Sequence, residues 1–574
     1  MNQRKLCVVA AATALIAAGC TSVDKAKTAD TPAPNASSSI TRIKDRGVTA
    51  KGGTVHVLNS ANFESLDPVA NYNVEDSAVG RLFNRTLTFI KDTPGEPLSI
   101  QPDLAESLGT SSDGAKTWTY KLREGLKYED GQPITAADVK YGVERSYAMD
   151  VYDTGTSYAT YMVDLLENDA DYAGPYQLSE KVTDLKSVET PDDRTVVFRF
   201  KGPQPDADWM MSLFYTSPVP KRADTRENYR KHPLASGPYK IETYTDDSLV
   251  LVRNEQWDPK TDPNRPAYPD RFEFERSPDA ATADQRLLAS GGEDSNAVAL
   301  SSTLTQADVP KLDEPSIQAR FINGPGLCVD YVAMNTQKLK DPDVRHAIAL
   351  AIDRQGIQHA LGGDLFGSIT DSVVPSTVEG FVAPDLGLKP QGDADAAKKL
   401  LAGKTVPTLH FAVQETSIVY QGVATVVKNS LKAAGVDVAI DILPQDKYSA
   451  LFDGDDVPEL DYTGWCLDWP TPSTVVPAVF GPDPAGQTWG SNNATRYFDP
   501  ATAKEIQALM SSTESASVVA TKMAELANEI QTTAWPLLPT TLNNSPQVVG
   551  ANVTNAGISP LFGVFDLNNV AVKG

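Results

Sequence analysis

The sequence predicts an α/β protein, and one stretch of the chain carries most of that prediction. Residues 418–434 place apolar side chains at helical spacing, and the glycine that follows, Gly435, is suited to end a helix. Residues 436–442 then alternate apolar and polar side chains, which is typical of a half-buried strand. A helix that passes through a glycine into a strand is part of a βαβ unit, the building block of α/β folds.

Further elements are mixed along the chain without strict alternation. Residues 53–58 alternate as a first strand, and residues 118–122 and 194–200 form two more, each entered from a polar turn containing Asp or Gly. Residues 344–361 have apolar side chains at helical spacing and predict a single helix.

The length of 574 residues is enough for several domains, because single cores stop growing near about 250–300 residues.

The composition limits the classes of partner. Hydrophobic residues make up 41% and charged residues 22%, as in an ordinary globular protein. The formal net charge is −24, which argues against nucleic acid because phosphate binding needs clustered Lys and Arg. The acid excess is interpreted as favouring solubility.

The first twenty residues predict export. Arg4 and Lys5 precede an apolar run at 6–18, which is shorter than the roughly 20 residues that span a bilayer and fits a signal peptide. The run ends in AAGC at 17–20, which resembles a bacterial lipobox except that Leu is more usual at position 17. We expect residues 1–19 to be removed and Cys20 to be lipidated; cleavage without lipidation is the alternative. The mature side chains then carry −26, because only Arg4 and Lys5 are lost as charges.

Residues 20–51 are rich in Ser, Thr, Ala, Pro and Lys and are expected to form a flexible tether. Cys7 lies in the leader, so the mature fold keeps Cys328 and Cys466. In an oxidising compartment two such cysteines suggest a disulfide, and two buried thiols are the alternative.

No pattern in the sequence indicates a catalyst, a cofactor or a metal site. The five histidines are far apart, and H-E-x-x-H, C-x-x-C and G-x-S-x-G are absent from the sequence. Residues 109–117 resemble a phosphate-binding loop, but Ala115 interrupts the motif and a predicted strand follows instead of a helix. We therefore interpret this segment as a turn and predict that the protein is not an enzyme.

Five ordered motifs resemble the family 5 bacterial extracellular solute-binding proteins, the dipeptide and oligopeptide receptors of ABC importers. The motifs are GGTV at 52–55 with SLDP at 65–68, YKLREGLKYEDG at 120–131, PITAADVK at 133–140, SGPYK at 236–240 with RN at 253–254, and NT at 335–336 with VRHA at 344–347 and AIDR at 351–354. The signature around 120–140 is interpreted as structural, with glycines and a proline forming turns and Asp138 supporting the start of a helix.

The resemblance implies a periplasmic-binding-protein-like bilobal fold of class II with an extra domain inserted in the first lobe. Lobe I would contain 52–87, 236–327 and 535–574, the extra domain 88–235, and lobe II 328–534. The two lobes would close on the ligand by a hinge motion.

The segment GWCLDW at 464–469 resembles the family strand that runs beside a bound peptide. By this resemblance Gly464, Trp465 and Cys466 line the ligand and Asp468 holds its α-ammonium, because a carboxylate shut away from water binds an ammonium strongly. A carboxylate that only caps the strand end is the alternative for Asp468. Asn73 resembles a residue of the opposing segment, and the family position of Cys328 pairs with Cys466.

Two features of the site stay open at this point. Residues 458–462 contain no basic side chain, so the partner of a peptide carboxylate is undefined. The tryptophans at 465, 469 and 489 fit side-chain pockets or the core equally well.

The resemblance implies an exported receptor on the outer face of the cytoplasmic membrane. It would be a lipid-anchored monomer that captures short peptides and delivers them to ABC permease subunits. The alternative is the same fold with a non-peptide solute, such as an oligosaccharide or metal chelate, or with a signalling peptide.

Overall fold

The computed structural model describes residues 40–43, 51–59, 63, 65–152, 158–167, 172–179, 182–276, 279–453 and 457–573. The leader and Cys20 lie outside these residues, as does most of the predicted tether.

Strands and helices are mixed along the described chain, so the α/β prediction is confirmed. The strands are β1 Thr54–Asn59, β2 Thr88–Lys91, β3 Ser99–Pro102, β4 Thr110–Ser112, β5 Thr117–Lys121, β6 Val188–Asp192, β7 Thr195–Arg199, β8 Tyr239–Tyr244, β9 Ser248–Arg253, β10 Arg271–Arg276, β11 Ala297–Ala299, β12 Phe321–Ile322, β13 Pro325–Met334, β14 Gly367–Ile369, β15 Leu409–Gln414, β16 Val438–Leu443, β17 Leu460–Cys466, β18 Leu537–Asn544, β19 Gln547–Val548, β20 Val553–Thr554 and β21 Ala571–Val572. The helices are α1 Val74–Phe83, α2 Ala136–Arg145, α3 Tyr158–Leu165, α4 Ala207–Met210, α5 Ala280–Ala289, α6 Pro315–Gln318, α7 Pro342–Ala351, α8 Arg354–Ala360, α9 Ala394–Leu400, α10 Ile418–Ala433, α11 Gln445–Asp453, α12 Val476–Phe480, α13 Pro500–Met510 and α14 Ala516–Thr533.

Lobe I is built on a five-stranded sheet of order β11-β1-β10-β9-β8, in which β1 runs parallel to β10 and β11. Val55 and Val57 of β1 point to one face and enter a hydrophobic core shared with the C-terminal stretch. Leu58 points to the other face and packs in a small cluster with Ala283 and Leu287 of α5. The predicted strand at 53–58 is therefore present, and it is covered on both faces at its carboxyl end.

Lobe II is built on a six-stranded sheet of order β14-β18-β13-β17-β15-β16. β15, α10 and β16 form the predicted βαβ unit, with β15 and β16 parallel, and Gly435 turns the chain at φ 87° after α10. Val423, Val427 and Leu431 are buried, as the helical spacing predicts, whereas Ile418 is 58% exposed. Ile418 is the first residue of the helix, so it lies at the end of the buried face.

The predicted single helix at 344–361 is two helices. α7 ends at Ala351, and Asp353 then caps α8 by accepting a hydrogen bond from the Gly356 amide at 2.8 Å. The apolar spacing continues across this break, so periodicity alone could not show it.

The extra domain contains a four-stranded antiparallel sheet of order β4-β5-β7-β6 and the β2-β3 hairpin. The glycine-containing segment 109–117 forms the β4-β5 hairpin and its turn, which agrees with the turn interpretation. In α2, the Asp138 carboxylate accepts hydrogen bonds from the Thr135 amide and hydroxyl at 2.9 and 3.0 Å, as expected for a residue that starts a helix.

The chain crosses between the lobes twice, at neighbouring positions. β12 pairs with β19, and Pro325 at the start of β13 pairs with Asn544 at the end of β18. Because β18 belongs to the lobe II sheet, the return to lobe I follows Asn544, and the predicted boundary at residue 535 is too early.

Part of the predicted tether lies on the body of the protein. Thr41 exchanges two backbone hydrogen bonds of 2.9 Å with Asn323, next to the first crossing, and Ile43 is paired with Ala556. Ile43 is 8% exposed. Thr41 and Ile43 therefore already pack on the body, before the predicted start of lobe I at residue 52.

Candidate functional site

Three of the predicted ligand residues end one central strand of lobe II. Gly464, Trp465 and Cys466 are the last residues of β17, which lies between β13 and β15, and Asp468 follows two residues later. β13 runs antiparallel to β17 and enters lobe II from the crossing at its first residue. The carboxyl end of β17 therefore lies at the edge of lobe II nearest lobe I.

Cys328 and Cys466 form a disulfide, the pairing that the resemblance implies. They are register partners across β13 and β17, with their Cα atoms 4.0 Å apart. The bridge joins the end of β17 to β13, the strand that enters lobe II from the crossing between the lobes. Cys466 is exposed and Cys328 is half-buried.

Gly464 leaves room for a carboxylate on the neighbouring strand. A Cβ built on Gly464 would lie 2.4 Å from Asp330 Oδ1 and 3.0 Å from the Val329 carbonyl oxygen. Both contacts are shorter than real Cβ atoms comfortably tolerate, so the close approach of β13 requires glycine at this position.

Two buried carboxylates lie in the strands that lead to this edge, one beside Gly464 and one near the opposite end of β17. Asp330 of β13 is 9% exposed and Asp461 of β17 is 5% exposed, and burial raises the pKa of each to about 7. The Tyr448 hydroxyl donates to Asp461 at 3.0 Å, which lowers that pKa in part. These acids were not singled out by the sequence analysis; the only signal was an Asp within the apolar run of β13.

The three tryptophans have different environments. Trp469 is 3% exposed and its indole donates to Asp206 Oδ2 of the extra domain at 3.0 Å. Trp465 is half-buried and donates to the Thr474 carbonyl at 2.8 Å. Trp489 is half-buried, with the Arg496 guanidinium 5.8 Å from its ring centre. Trp469 is thus a core residue, and its neighbour Asp468 is half-buried.

Asn73 lies in lobe I, at the N-terminus of α1. It occupies the N-cap position but makes no side-chain hydrogen bond to the helix, and it is half-buried. The next residue, Val74, is 38% exposed. No motif or spacing in the sequence points to Val74.

The preceding SLDP turn is held to the extra domain by an ion pair. Asp67 accepts hydrogen bonds from the Val69 amide and from both terminal nitrogens of Arg145, at 2.8 and 2.7 Å. Asp67 and Arg145 are 1% and 0% exposed. The turn that carries the chain towards Asn73 is therefore fixed by a fully buried pair.

Both candidate segments follow the carboxyl ends of parallel strands. Asn73 comes after β1 in lobe I and Asp468 comes after β17 in lobe II. Ligands of open α/β sheets bind outside such strand ends. The structure thus gathers Gly464, Trp465, Cys466 and Asp468 on one edge and leaves Asn73 on the other lobe.

A family comparison matches this architecture. The model of the bacterial extracellular solute-binding proteins, family 5 Middle, matches residues 99–487, which is more than half of the chain. The protein belongs to this family.

Relatives and solved structures agree with the family assignment. The periplasmic oligopeptide-binding protein OppA of Salmonella typhimurium is 28% identical over 77% of this chain and 79% of its own length. The oligopeptide-binding protein AppA of Bacillus subtilis is 26% identical over 74% and 75%. The solved clavulanic acid biosynthesis oligopeptide binding protein 2 is 31% identical, with a TM-score of 0.81 over 94% of this chain and 100% of that one. The predicted bilobal binding-protein fold is confirmed.

Among the described residues, no three His, Cys, Asp or Glu side chains form a group that could hold a metal ion. None of the described helices has both the length and the apolar character that crossing a bilayer requires.

Proposed function

We propose that this family 5 protein is the substrate-binding component of an ABC importer and that it captures short peptides between its two lobes. The observation that carries the proposal is the carboxyl end of β17, where a half-buried Asp468 follows a strand braced by a disulfide at the edge facing lobe I. The relatives named for oligopeptide binding support the same ligand class.

In this proposal Asp468 accepts hydrogen bonds from the α-ammonium of the peptide. Lobe closure removes water from the pair, which strengthens a charge-assisted hydrogen bond. The buried acid Asp330 of the adjoining strand β13 is the register partner of Gly464 and adds no positive charge to this edge.

Backbone groups supply the remaining recognition. Gly464 and Cys466 end a strand whose carboxyl end faces the cleft, and an extended peptide can pair with such a strand without its side chains being read. Asn73 and the exposed Val74 are proposed to contact the peptide from lobe I. Affinity would thus depend on a free amino end and an extended main chain, and the protein would transport peptides without hydrolysing them.

The anchor and location are proposed from the sequence. Lipidated Cys20 would hold a monomeric receptor on the outer face of the cytoplasmic membrane, close to its permease. Pairing with the body of the protein begins by Thr41, which is 21 residues after Cys20. Phase partition with detergent tests the anchor: wild-type protein should enter the detergent phase, and Cys20→Ser should remain in water.

Native mass spectrometry tests the ligand class. The protein is mixed with alanine di- to pentapeptides, either free or N-acetylated, and with an oligosaccharide of similar mass. We expect complexes with the free peptides only. Complexes with acetylated peptides of equal abundance would reject the ammonium anchor, and complexes with the sugar alone would reject the peptide function.

A further inference from the structure

One carboxylate of the extra domain is bound entirely by lobe II. Asp206 precedes α4 and is 5% exposed. Its Oδ2 accepts hydrogen bonds from Trp469 Nε1 at 3.0 Å, from Thr471 Oγ1 at 2.8 Å and from the Ser473 hydroxyl. All three donors follow Asp468 within five residues. Asp206 Oδ1 has no hydrogen-bond partner among the described residues.

The contact of the extra domain with lobe I is chemically different. Asp103 of the extra domain pairs with Arg85 at 2.8 Å and with Arg265 at 2.9 Å, and Arg145 pairs with Asp67. All five side chains are nearly inaccessible to solvent. Separating buried ion pairs of this kind leaves uncompensated charges, so this joint is expected to stay closed.

The contact with lobe II has no comparable ion pair at Asp206. Three neutral donors surround one carboxylate oxygen, beside a hydrophobic cluster that contains Trp209 of the extra domain and Trp469 of lobe II. The hydrogen bonds favour this contact, whereas burying a charge without a cation opposes it. Because these two contributions oppose one another, we expect the Asp206 contact to be weaker than the buried ion pairs on the lobe I side.

We propose that Asp206 is a positioning residue for the ligand anchor: it binds the 469–473 segment when the lobes close and releases it when they open. The extra domain moves with lobe I, held by its ion pairs. On closure Asp206 fixes Trp469, and through it the adjacent Asp468, in the ligand-binding position. This inference rests on the proposed peptide function.

The first test is the kinetics of ligand release. The alanine peptide found bound by native mass spectrometry is used as the probe, and its binding and release are followed by tryptophan fluorescence. Asp206→Ala should raise the dissociation rate by about tenfold or more and change the association rate much less, because the variant loses a contact made only after encounter. Ser473→Ala should show a smaller change of the same kind, and the effects should be less than additive in the double variant.

A matched control is available two residues away. Asp208 accepts hydrogen bonds from the Gly109 amide at 2.8 Å and from the Tyr120 hydroxyl at 3.1 Å, both within the extra domain. Asp208→Asn should lower the melting temperature and leave the dissociation rate unchanged. If Asp206→Ala behaves like this control, Asp206 is only a structural residue and the proposal is wrong.

We call the contact between Asp206 and residues 469–473, formed on closure and released on opening, the latch. Hydrogen exchange distinguishes this latch from a permanent contact. In wild-type protein the probe peptide should slow exchange at residues 204–212 of the extra domain, and Asp206→Ala should remove that protection. Equal protection with and without peptide would overturn the latch. If the peptide binds but neither readout changes, the latch alone fails; if no alanine peptide binds, the proposed function fails with it.

Discussion

The disulfide between Cys328 and Cys466 makes a quantitative prediction about lobe II. It closes a loop with a sequence separation of 138, and the chain-entropy relation gives about 5 kcal/mol of stabilisation for a loop of that length. Both cysteines lie in the lobe II sheet, so the loss should be local to that lobe. The exposed side chain of Cys466 should let a reductant reach the bond in the folded protein.

The assay is urea unfolding with and without reductant, followed by hydrogen exchange of β13, β15 and β17. Reduction should lower the free energy of unfolding of lobe II by about 3–5 kcal/mol and leave lobe I protected. The double variant Cys328→Ser with Cys466→Ser should match the reduced protein and be insensitive to reductant. A loss below about 1 kcal/mol, or equal losses in both lobes, would refute the reasoning.

Three other perturbations test individual contacts. Burial raises the pKa of Asp330 to about 7, above its ordinary value near 4. Between these two pH values the folded state keeps a proton that the unfolded state loses. The free energy of unfolding should therefore fall as pH rises through this window. Asp330→Asn should remove about 2–4 kcal/mol of that dependence, measured as urea midpoints at about pH 5 and pH 8; an unchanged slope would contradict it. Gly464→Ala should lower the free energy of unfolding by about 1–3 kcal/mol and weaken peptide binding. Gly422→Ala in α10 is the control, because a Cβ there meets only Ala360 at 3.7 Å, and it should raise the free energy of unfolding by about 0.5–1 kcal/mol. Arg145→Met should lower the free energy of unfolding by about 3–5 kcal/mol, because it leaves Asp67 buried and unpaired. A melting temperature equal to that of the wild type would show that the pair is dispensable.

Local patterns predicted the elements whose signals lie within a few residues. The helix–glycine–strand sequence around Gly435 needed only local periodicity and one residue able to adopt positive φ. The break at Asp353 was not predicted, because the Asp353 carboxylate caps a new helix while the apolar spacing continues unchanged. The boundary at 535 was too early because strand pairing of β18 with β13 depends on residues about two hundred positions apart.

The same limit applies to the candidate site. Asp468 was selected from a contiguous motif, as were Gly464 and Cys466. Asp206 could not be selected, because its donors lie 263 to 267 residues further along the chain. Asp330 was missed because its environment, and not its sequence neighbours, makes it unusual.

The central claim is that Asp468 binds the amino group of the ligand, and a calorimetric cycle tests it most directly. Wild-type protein and Asp468→Asn are each titrated with the alanine peptide and its N-acetylated form, with Asp437→Asn on the exposed surface of lobe II as the control. The account predicts that each single change weakens binding by about 2–5 kcal/mol and that making both changes costs little more than either one. Additive losses within about 0.5 kcal/mol would show that residue 468 and the amino group do not interact.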